Sequence, residues 1–219
     1  MNFLLHQFLI TAATPRRVGL YRLMKARAAW TPDQIRTYQE KKLRDVIVYC
    51  WQHIPFYRDH WRGHIDDPRE INTIADLHKL PLLTKDQVRE HLDTLITTDP
   101  KVKSTEARTG GSTGKPIIFR MTYHDEQLAW AHMYVGWSWA GYRIGDPFLI
   151  VGGESVGIGL GDKRTLADKV MNRWVTSGSN LTLERTRALT QQPHFHQIRL
   201  IYGYPNSIKE MCEYLVQLN

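Results

Sequence analysis

Residues 109–116 read TGGSTGKP, and the glycines at 110, 111 and 114 deny this stretch the side chains that hold a helix or a strand together. The chain must turn here. Any fold of the 219 residues therefore has a part that leads into the turn and a part that leaves it, and the two differ in character.

The leading part is rich in helix starts. Thr31, Pro32 and Gln34 combine a hydroxyl that can cap a free amide, a proline suited to the first turn and a glutamine that can reach back. A long helix is predicted to follow, with Ile35, Tyr38, Leu43, Val46, Ile47 and Cys50 near helical spacing. It ends at Ile54, because the residue before Pro55 avoids helical geometry. Phe56, Tyr57 and Trp61 begin a second short turn. Thr73 with Asp76, and Thr84 with Gln87, repeat the cap before short apolar runs.

From Ser104 onward glycine and β-branched residues enter. The segment KVKSTEAR before the loop is charged and does not read as an apolar strand, whereas Ile117, Ile118 and Phe119 after it do. Thr122 with Asp125 caps a helix carrying Trp130, Tyr134, Trp137 and Trp139, aromatics expected mostly in the core, and Gly141 ends it. Residues 147–153 and 198–203 are short apolar runs expected as buried strands, with a helix predicted between Lys163 and Val175. A last helix runs from near Pro205 through Ile208, Met211, Cys212 and Leu215. The pattern predicts an α/β protein: a helical N-terminal region, residues 1–103, followed by part of an α/β sheet domain, residues 104–219, with no internal repeat.

Composition supports a folded chain, since 42% apolar and 11% aromatic residues supply the surface that a disordered chain lacks. The formal charge of +7 is lopsided. Residues 1–62 hold eleven Lys or Arg against four Asp or Glu, and residues 63–219 hold eighteen of each. Arg16, Arg17, Arg22, Lys25 and Arg27 could meet anionic lipid, nucleic acid or an acidic partner, or simply form a solvated helix surface. Cys50 and Cys212 form no C-x-x-C pair, so neither a disulfide framework nor a thiolate zinc site is indicated, which fits a reducing cytoplasm. The opening MNFLLHQFLITAA has no basic residue before its apolar run and is too short to span a bilayer. It reads as an amphipathic helix, either packed on the domain or lying at the inner membrane face.

Chemically, the loop suits a polyphosphate: glycines let backbone amides turn inward, Thr109, Ser112 and Thr113 offer hydroxyls, and Lys115 a mobile charge. A Gly/Ser surface turn has the same composition. Two better-known phosphate loops do not fit. A Walker loop needs glycine five residues before Gly114 and a hydroxyl after Lys115, but Thr109 and Pro116 stand there; a Rossmann fingerprint needs G-x-G-x-x-G after an apolar strand.

The loop resembles the T-[SG]-G-S-T-G-K-P signature of adenylate-forming enzymes, specifically the phenylacetate–CoA ligase family with its capsular-polysaccharide (CapK-like) relatives. VYCWQHIPFYRDHW at 48–61, IADLHKLPLLTKDQVREH at 74–91 and WSWAGYRIGDPFLIVGG at 137–153 are similar to further family segments in the same order. Gly110, where many members carry Ser, points to the capsule branch. The resemblance implies the fold of the N-terminal part of such an enzyme and the activation of a small carboxylate by ATP with magnesium, then transfer to a thiol, usually coenzyme A. It also implies that Thr109, Gly110, Gly111, Ser112, Thr113, Gly114 and Lys115 hold the nucleotide phosphates, and it leads to no expectation of nucleic acid.

Later family elements are missing: a Tyr-Gly-x-Thr/Ser-Glu motif whose Glu helps bind magnesium, an Asp for the ribose and a C-terminal Lys. After Tyr202 and Gly203 come Tyr204, Pro205 and Asn206, which resemble instead the family's Gly-Tyr-Pro helix start. No residue is matched to a catalytic role. A truncated ligase inactive alone is therefore expected, whether from an incomplete gene, a deliberate truncation or a natural short protein completed by a C-terminal half or a second copy. Its alternatives are a non-catalytic nucleotide-binding or scaffold module and a basic membrane- or nucleic-acid-associated protein driven by residues 1–62, of which residues 1–30 could make a weak membrane-surface contact. His60 with His64 could be metal ligands but read more simply as surface residues; His194 with His196 alternate as in a strand and could bind zinc but read more simply as substrate-pocket or surface residues; and Arg143 with Asp146 read as an ion pair across a turn.

Overall fold

A computed structural model describes residues 3–109, 116–152, 164–193 and 195–218. In chain order the helices and strands are α1 Phe3–Ala13, α2 Pro15–Arg27, α3 Pro32–His53, α4 Pro55–His60, α5 Lys85–Glu90, β1 Ser104–Arg108, β2 Ile118–Thr122, α6 Tyr123–Trp139 and β3 Phe148–Gly152. They continue with α7 Leu166–Val170, β4 Arg173–Ser177, α8 Leu183–Thr190, β5 Leu200–Gly203 and α9 Pro205–Leu218. The chain divides into two compact units: residues 1–24 with 127–219, and residues 25–126.

In the second unit the capping chemistry behaves as the sequence predicts. Thr31 Oγ1 accepts the Gln34 amide at 3.3 Å while Gln34 Oε1 accepts the Thr31 amide at 2.9 Å, and α3 stops at Ile54. Thr84 and Gln87 close the same box on α5, whereas Thr73 and Asp76 start a 3-10 helix, Ile74–Lys79. Ile47 of α3 is buried against Trp61, Ile65 and Ile71, with Leu43, Cys50, Trp51 and Leu80 around them. Burying such aliphatic side chains is worth roughly 1.5–3 kcal/mol each.

The same unit contains an antiparallel ribbon. β1 pairs β2 from Ser104↔Thr122 to Arg108↔Ile118, so the charged segment before the loop is a strand after all. It is charged because the ribbon is largely exposed, and an exposed two-stranded ribbon requires no apolar row.

The first unit is built on a parallel sheet in the order β4-β3-β5. Every residue of β3 is buried, and its side chains alternate between two cores. Phe148 and Ile150 meet Ile10, Val18, Tyr134, Trp137 and Tyr142, from α1, α2, α6 and the turn after it; Leu149 and Val151 meet Leu181, Leu189 and Met211 on the α8–α9 side. Trp137 and Tyr142 pack edge-to-face at 5.4 Å, and Trp137 lies 5.1 Å from Phe148. Trp139, expected with these aromatics in the core, is instead 78% exposed.

Two further expectations are corrected. The predicted helix up to Val175 is only α7; Asn172, at φ +51°, then reverses the chain into β4, a conformation asparagine tolerates better than most residues. Residues 200–203 form β5, but Ile201 and Tyr202 are each 37% exposed, because β5 has a strand on one side only among the described residues. Arg143 and Asp146 do bracket a turn: the carboxylate accepts the Arg143 amide at 2.8 Å and faces its guanidinium at 3.3 Å.

Helix α1 packs inward through His6 and Ile10, and Gly145, at φ +109°, leaves room for it. A Cβ there would lie 3.0 Å from the Gln7 amide nitrogen. Leu4, Leu5 and Phe8 of α1 remain exposed. Arg17, counted with the basic face in the sequence, is buried: its Nε donates to Gln127 Oε1 at 3.0 Å and its guanidinium lies over Trp130. Arg27 likewise donates to the Tyr38 hydroxyl and stacks on its ring. No helix among the described residues is long and apolar enough to cross a membrane.

Candidate functional site

The glycine loop joins β1 to β2 in sequence. At its base the Thr109 amide donates to the Ile117 carbonyl at 3.0 Å, and the Ile117 amide donates back to Thr109 Oγ1 at 2.9 Å. Gly110, Gly111, Ser112, Thr113, Gly114 and Lys115 lie outside the described residues. Thr109 and Ile117, which flank them, form a stem closed by these two bonds. The Thr109 hydroxyl accepts the backbone bond with a lone pair and keeps its hydrogen, so it can still donate to an oxyanion.

The stem leans positive. Arg108 and Arg120 stand against Glu106, which faces Arg120 across the strands and accepts from Arg108 at 2.9 Å. Pairs as exposed as this contribute little to stability, but their field favours an approaching anion.

In the first unit the carboxyl ends of the parallel strands form another frame, and such ends are where sheets of this type hold ligands. The backbone is tightly drawn there. The Gly178 amide donates to the Gly152 carbonyl at 2.8 Å, Ser207 Oγ donates to the Gly178 carbonyl, and a Cβ on Gly203 would fall 2.1 Å from the Val151 oxygen. Pro205 opens α9 directly after Tyr204 and Gly203, the last residue of β5, so a helix does start at the Gly-Tyr-Pro segment. Ser177 and Gly178 escape sequence reading because β4 lies where a helix is expected, although Val175 and Thr176 are β-branched and GSN follows at 178–180.

His60 stacks on Phe56 at 4.9 Å, His196 sits in a 3-10 turn rather than a strand, and His194 lies outside the described residues. Among the described residues no group of three His, Cys, Asp or Glu could hold a metal ion. Burial pushes the Cys50 thiol up to about 11, so it is no thiolate nucleophile near neutral pH.

No family model matches the chain. It is 24% identical over 184 residues to protein CapK of Staphylococcus aureus, covering 83% of this chain and 40% of that protein. It is 27% identical over 94 residues to phenylacetate-coenzyme A ligase of Thermus thermophilus, covering 42% of this chain and 21% of the ligase. The enzyme of the same name from Escherichia coli is 26% identical over 95 residues. Among solved structures, 2-hydroxyisobutyryl-CoA ligase in complex with 2-HIB-AMP and CoA superimposes with a TM-score of 0.63 at 20% identity, over 85% of this chain and 40% of that one. The chain thus spans about 40% or less of the length of these relatives. In sequence the chain is thus similar to part of CapK and of phenylacetate–CoA ligases, and it shares a mixed helical and sheet fold with part of a CoA ligase.

Proposed function

We propose that residues 109–115 bind the phosphates of ATP in an AMP-forming activation of a small carboxylate, with coenzyme A as the acyl acceptor of the complete system. The observation that carries this is the reciprocal closure of the ribbon at Thr109 and Ile117, which fixes both ends of the loop and leaves a hydroxyl donor at its edge. In this reading Thr109, Ser112, Thr113 and the amides of Gly110, Gly111 and Gly114 surround the β- and γ-phosphates, and Lys115 offsets charge on the pyrophosphate leaving group. The division into a helical region, residues 1–103, and a nucleotide-binding region, residues 104–219, belongs to the same proposal. The described residues offer magnesium no carboxylate cage, so no step is assigned to it. The titration of ATP against wild type and Lys115→Ala tests the reading: wild type binds and the variant binds at least about tenfold more weakly, the worth of one charged hydrogen bond. Equal, negligible binding in both removes the loop from nucleotide recognition.

The 219 residues alone are expected to hold nucleotide without completing adenylation, since they contain no Tyr-Gly-x-Thr/Ser-Glu sequence. Carboxylate-dependent exchange of pyrophosphate into ATP by the purified chain would overturn this.

A second reading, a nucleotide-binding or scaffold module at the inner membrane face, is favoured by one observation. Helix α1 buries His6 and Ile10 yet leaves Leu4, Leu5 and Phe8 exposed, and Arg16 and Arg22 of α2 are exposed as well. Cosedimentation with vesicles rich in anionic lipid, lost in a Leu4→Ser, Phe8→Ser double variant, tests it; no cosedimentation of wild type would reject it.

A further inference from the structure

A cavity of about 470 Å³ in the first unit lies at the opposite end of the parallel sheet from the strand ends described above. Its walls include Pro147, Asn172 and Arg199, each the residue immediately before β3, β4 or β5, so it sits at the amino ends of all three strands. Ligand sites of parallel sheets belong to the carboxyl ends, and nothing in the adenylation reading uses this place.

Its charge is one-sided. Three arginines, Arg143, Arg164 and Arg199, face a single wall carboxylate, Asp146. Asp146 is spent on Arg143 through its side chain and backbone amide. Arg164 is held over the Trp174 ring, its guanidinium carbon 3.7 Å from the centroid, by bonds from Nε to the Arg173 carbonyl and from Nη2 to the Asp168 carbonyl. Those bonds use two of its five N–H donors, and both partners are neutral carbonyls, so its charge has no carboxylate bound to it. Arg199 is exposed, and among the described residues its side chain makes no hydrogen bond or ion pair. His196 adds a ring nitrogen donor or acceptor to the same wall. The indole N–H of Trp174 is buried with no partner among the described residues.

A rigid, partly desolvated guanidinium beside a mobile one is an arrangement suited to a doubly charged oxyanion. The space is several times larger than a free phosphate needs, and Phe3, Pro147, Trp174 and Ile198 give it apolar walls. We propose that this cavity binds the phosphomonoester of a small organic molecule, with Arg164 and Arg199 on the phosphate and the apolar walls against its carbon body, as a site separate from the glycine loop.

Calorimetric titration of the full chain with glycerol 3-phosphate and with inorganic phosphate, at ionic strength held constant with chloride, tests this. The expected result is one saturable site for glycerol 3-phosphate, weakened about tenfold or more in Arg199→Ser and unchanged in Lys115→Ala. Arg199→Ser removes an exposed side chain, so its melting temperature should match wild type and any loss reports the cavity. The proposal is overturned by absent saturable binding, by equal binding in wild type and Arg199→Ser, or by a site lost in Lys115→Ala and kept in Arg199→Ser. Inorganic phosphate binding as tightly as glycerol 3-phosphate would overturn the organic part of the assignment. None of these outcomes bears on the ATP titration, whose variant leaves the cavity intact.

Discussion

Thr109 and Ile117 bond to each other twice at the neck of the glycine loop, once through backbone alone and once through the threonine hydroxyl. The second bond makes Thr109 a splint for the loop as well as a candidate phosphate ligand, and the two roles separate by substitution. Thr109→Ser keeps the hydroxyl and should keep both. Thr109→Val keeps the shape and loses both, at a stability cost of no more than about 1 kcal/mol, since water can replace an exposed bond. ATP affinity should therefore fall clearly in Thr109→Val and little in Thr109→Ser. If valine binds ATP as wild type does, the hydroxyl has neither role.

Gly203 sets a stricter condition at the carboxyl ends of the strands. Its register partner is Val151, and an added Cβ would fall 2.1 Å from the Val151 oxygen, a backbone atom that cannot rotate aside. Gly203→Ala must separate β5 from β3 or distort the start of α9, and it should cost about 3 kcal/mol. Urea unfolding of wild type and variant measures this; a difference under about 0.5 kcal/mol would mean that the strands do not approach so closely.

Much of this frame is legible in the sequence, and the exceptions share a physical cause. Capping pairs such as Thr31/Gln34 are read correctly because their chemistry is local and completed within three residues. β3 is read correctly because burial on both faces leaves a continuous apolar run. β4 is hidden: Asn172 ends α7 and starts a strand within two residues, and no composition change marks a left-handed asparagine. β1 is hidden for the opposite reason, since an exposed ribbon is held by backbone pairing and tolerates Glu106 and Arg108. Trp139 falls outside the core because helical spacing gives a face but not where the helix leaves its support. The loop's chemistry is plain in its residues, while the Arg164–Arg199 cavity joins residues distant in sequence that only the sheet brings together.

Asp168 ties α7 to β4. Its carboxylate accepts from the Thr165 amide and hydroxyl, at 2.8 and 2.6 Å, and from Arg173 Nε. Burial opposes its ionisation, yet the hydrogen bonds from Thr165 and Arg173 outweigh burial and hold its pKa below the ordinary value. A depressed carboxyl stabilises the fold above its unfolded pKa and loses that contribution as pH falls through the folded value. Asp168→Asn should preserve the cap, leave Arg173 without its counter-charge and cost about 2 kcal/mol at pH 7. The difference should shrink in acid; unfolding curves at pH 7 and pH 3.5 measure both, and equal stability at pH 7 would show the pair to be without net effect.

His6 imposes a pH dependence of opposite origin. It lies in the core of α1 with Nδ1 3.4 Å from the Val170 carbonyl and Nε2 buried without a partner among the described residues. Burial lowers its pKa from the ordinary 6.5, the Val170 bond opposes that in part, and the charge of Arg164 adds to the lowering. Above about pH 6.5 the ring is neutral in folded and unfolded chains alike and contributes no slope. Below it the unfolded chain takes up a proton that the folded chain resists, so stability falls with pH by at most about 1.4 kcal/mol per unit until the folded value is reached. His6→Leu fills a similar space and cannot titrate, so its stability should fall less than that of wild type between pH 7.5 and 5.5. Parallel slopes over that interval would place the proton uptake elsewhere, and a steeper slope in the variant would mean that folding raises the pKa of His6.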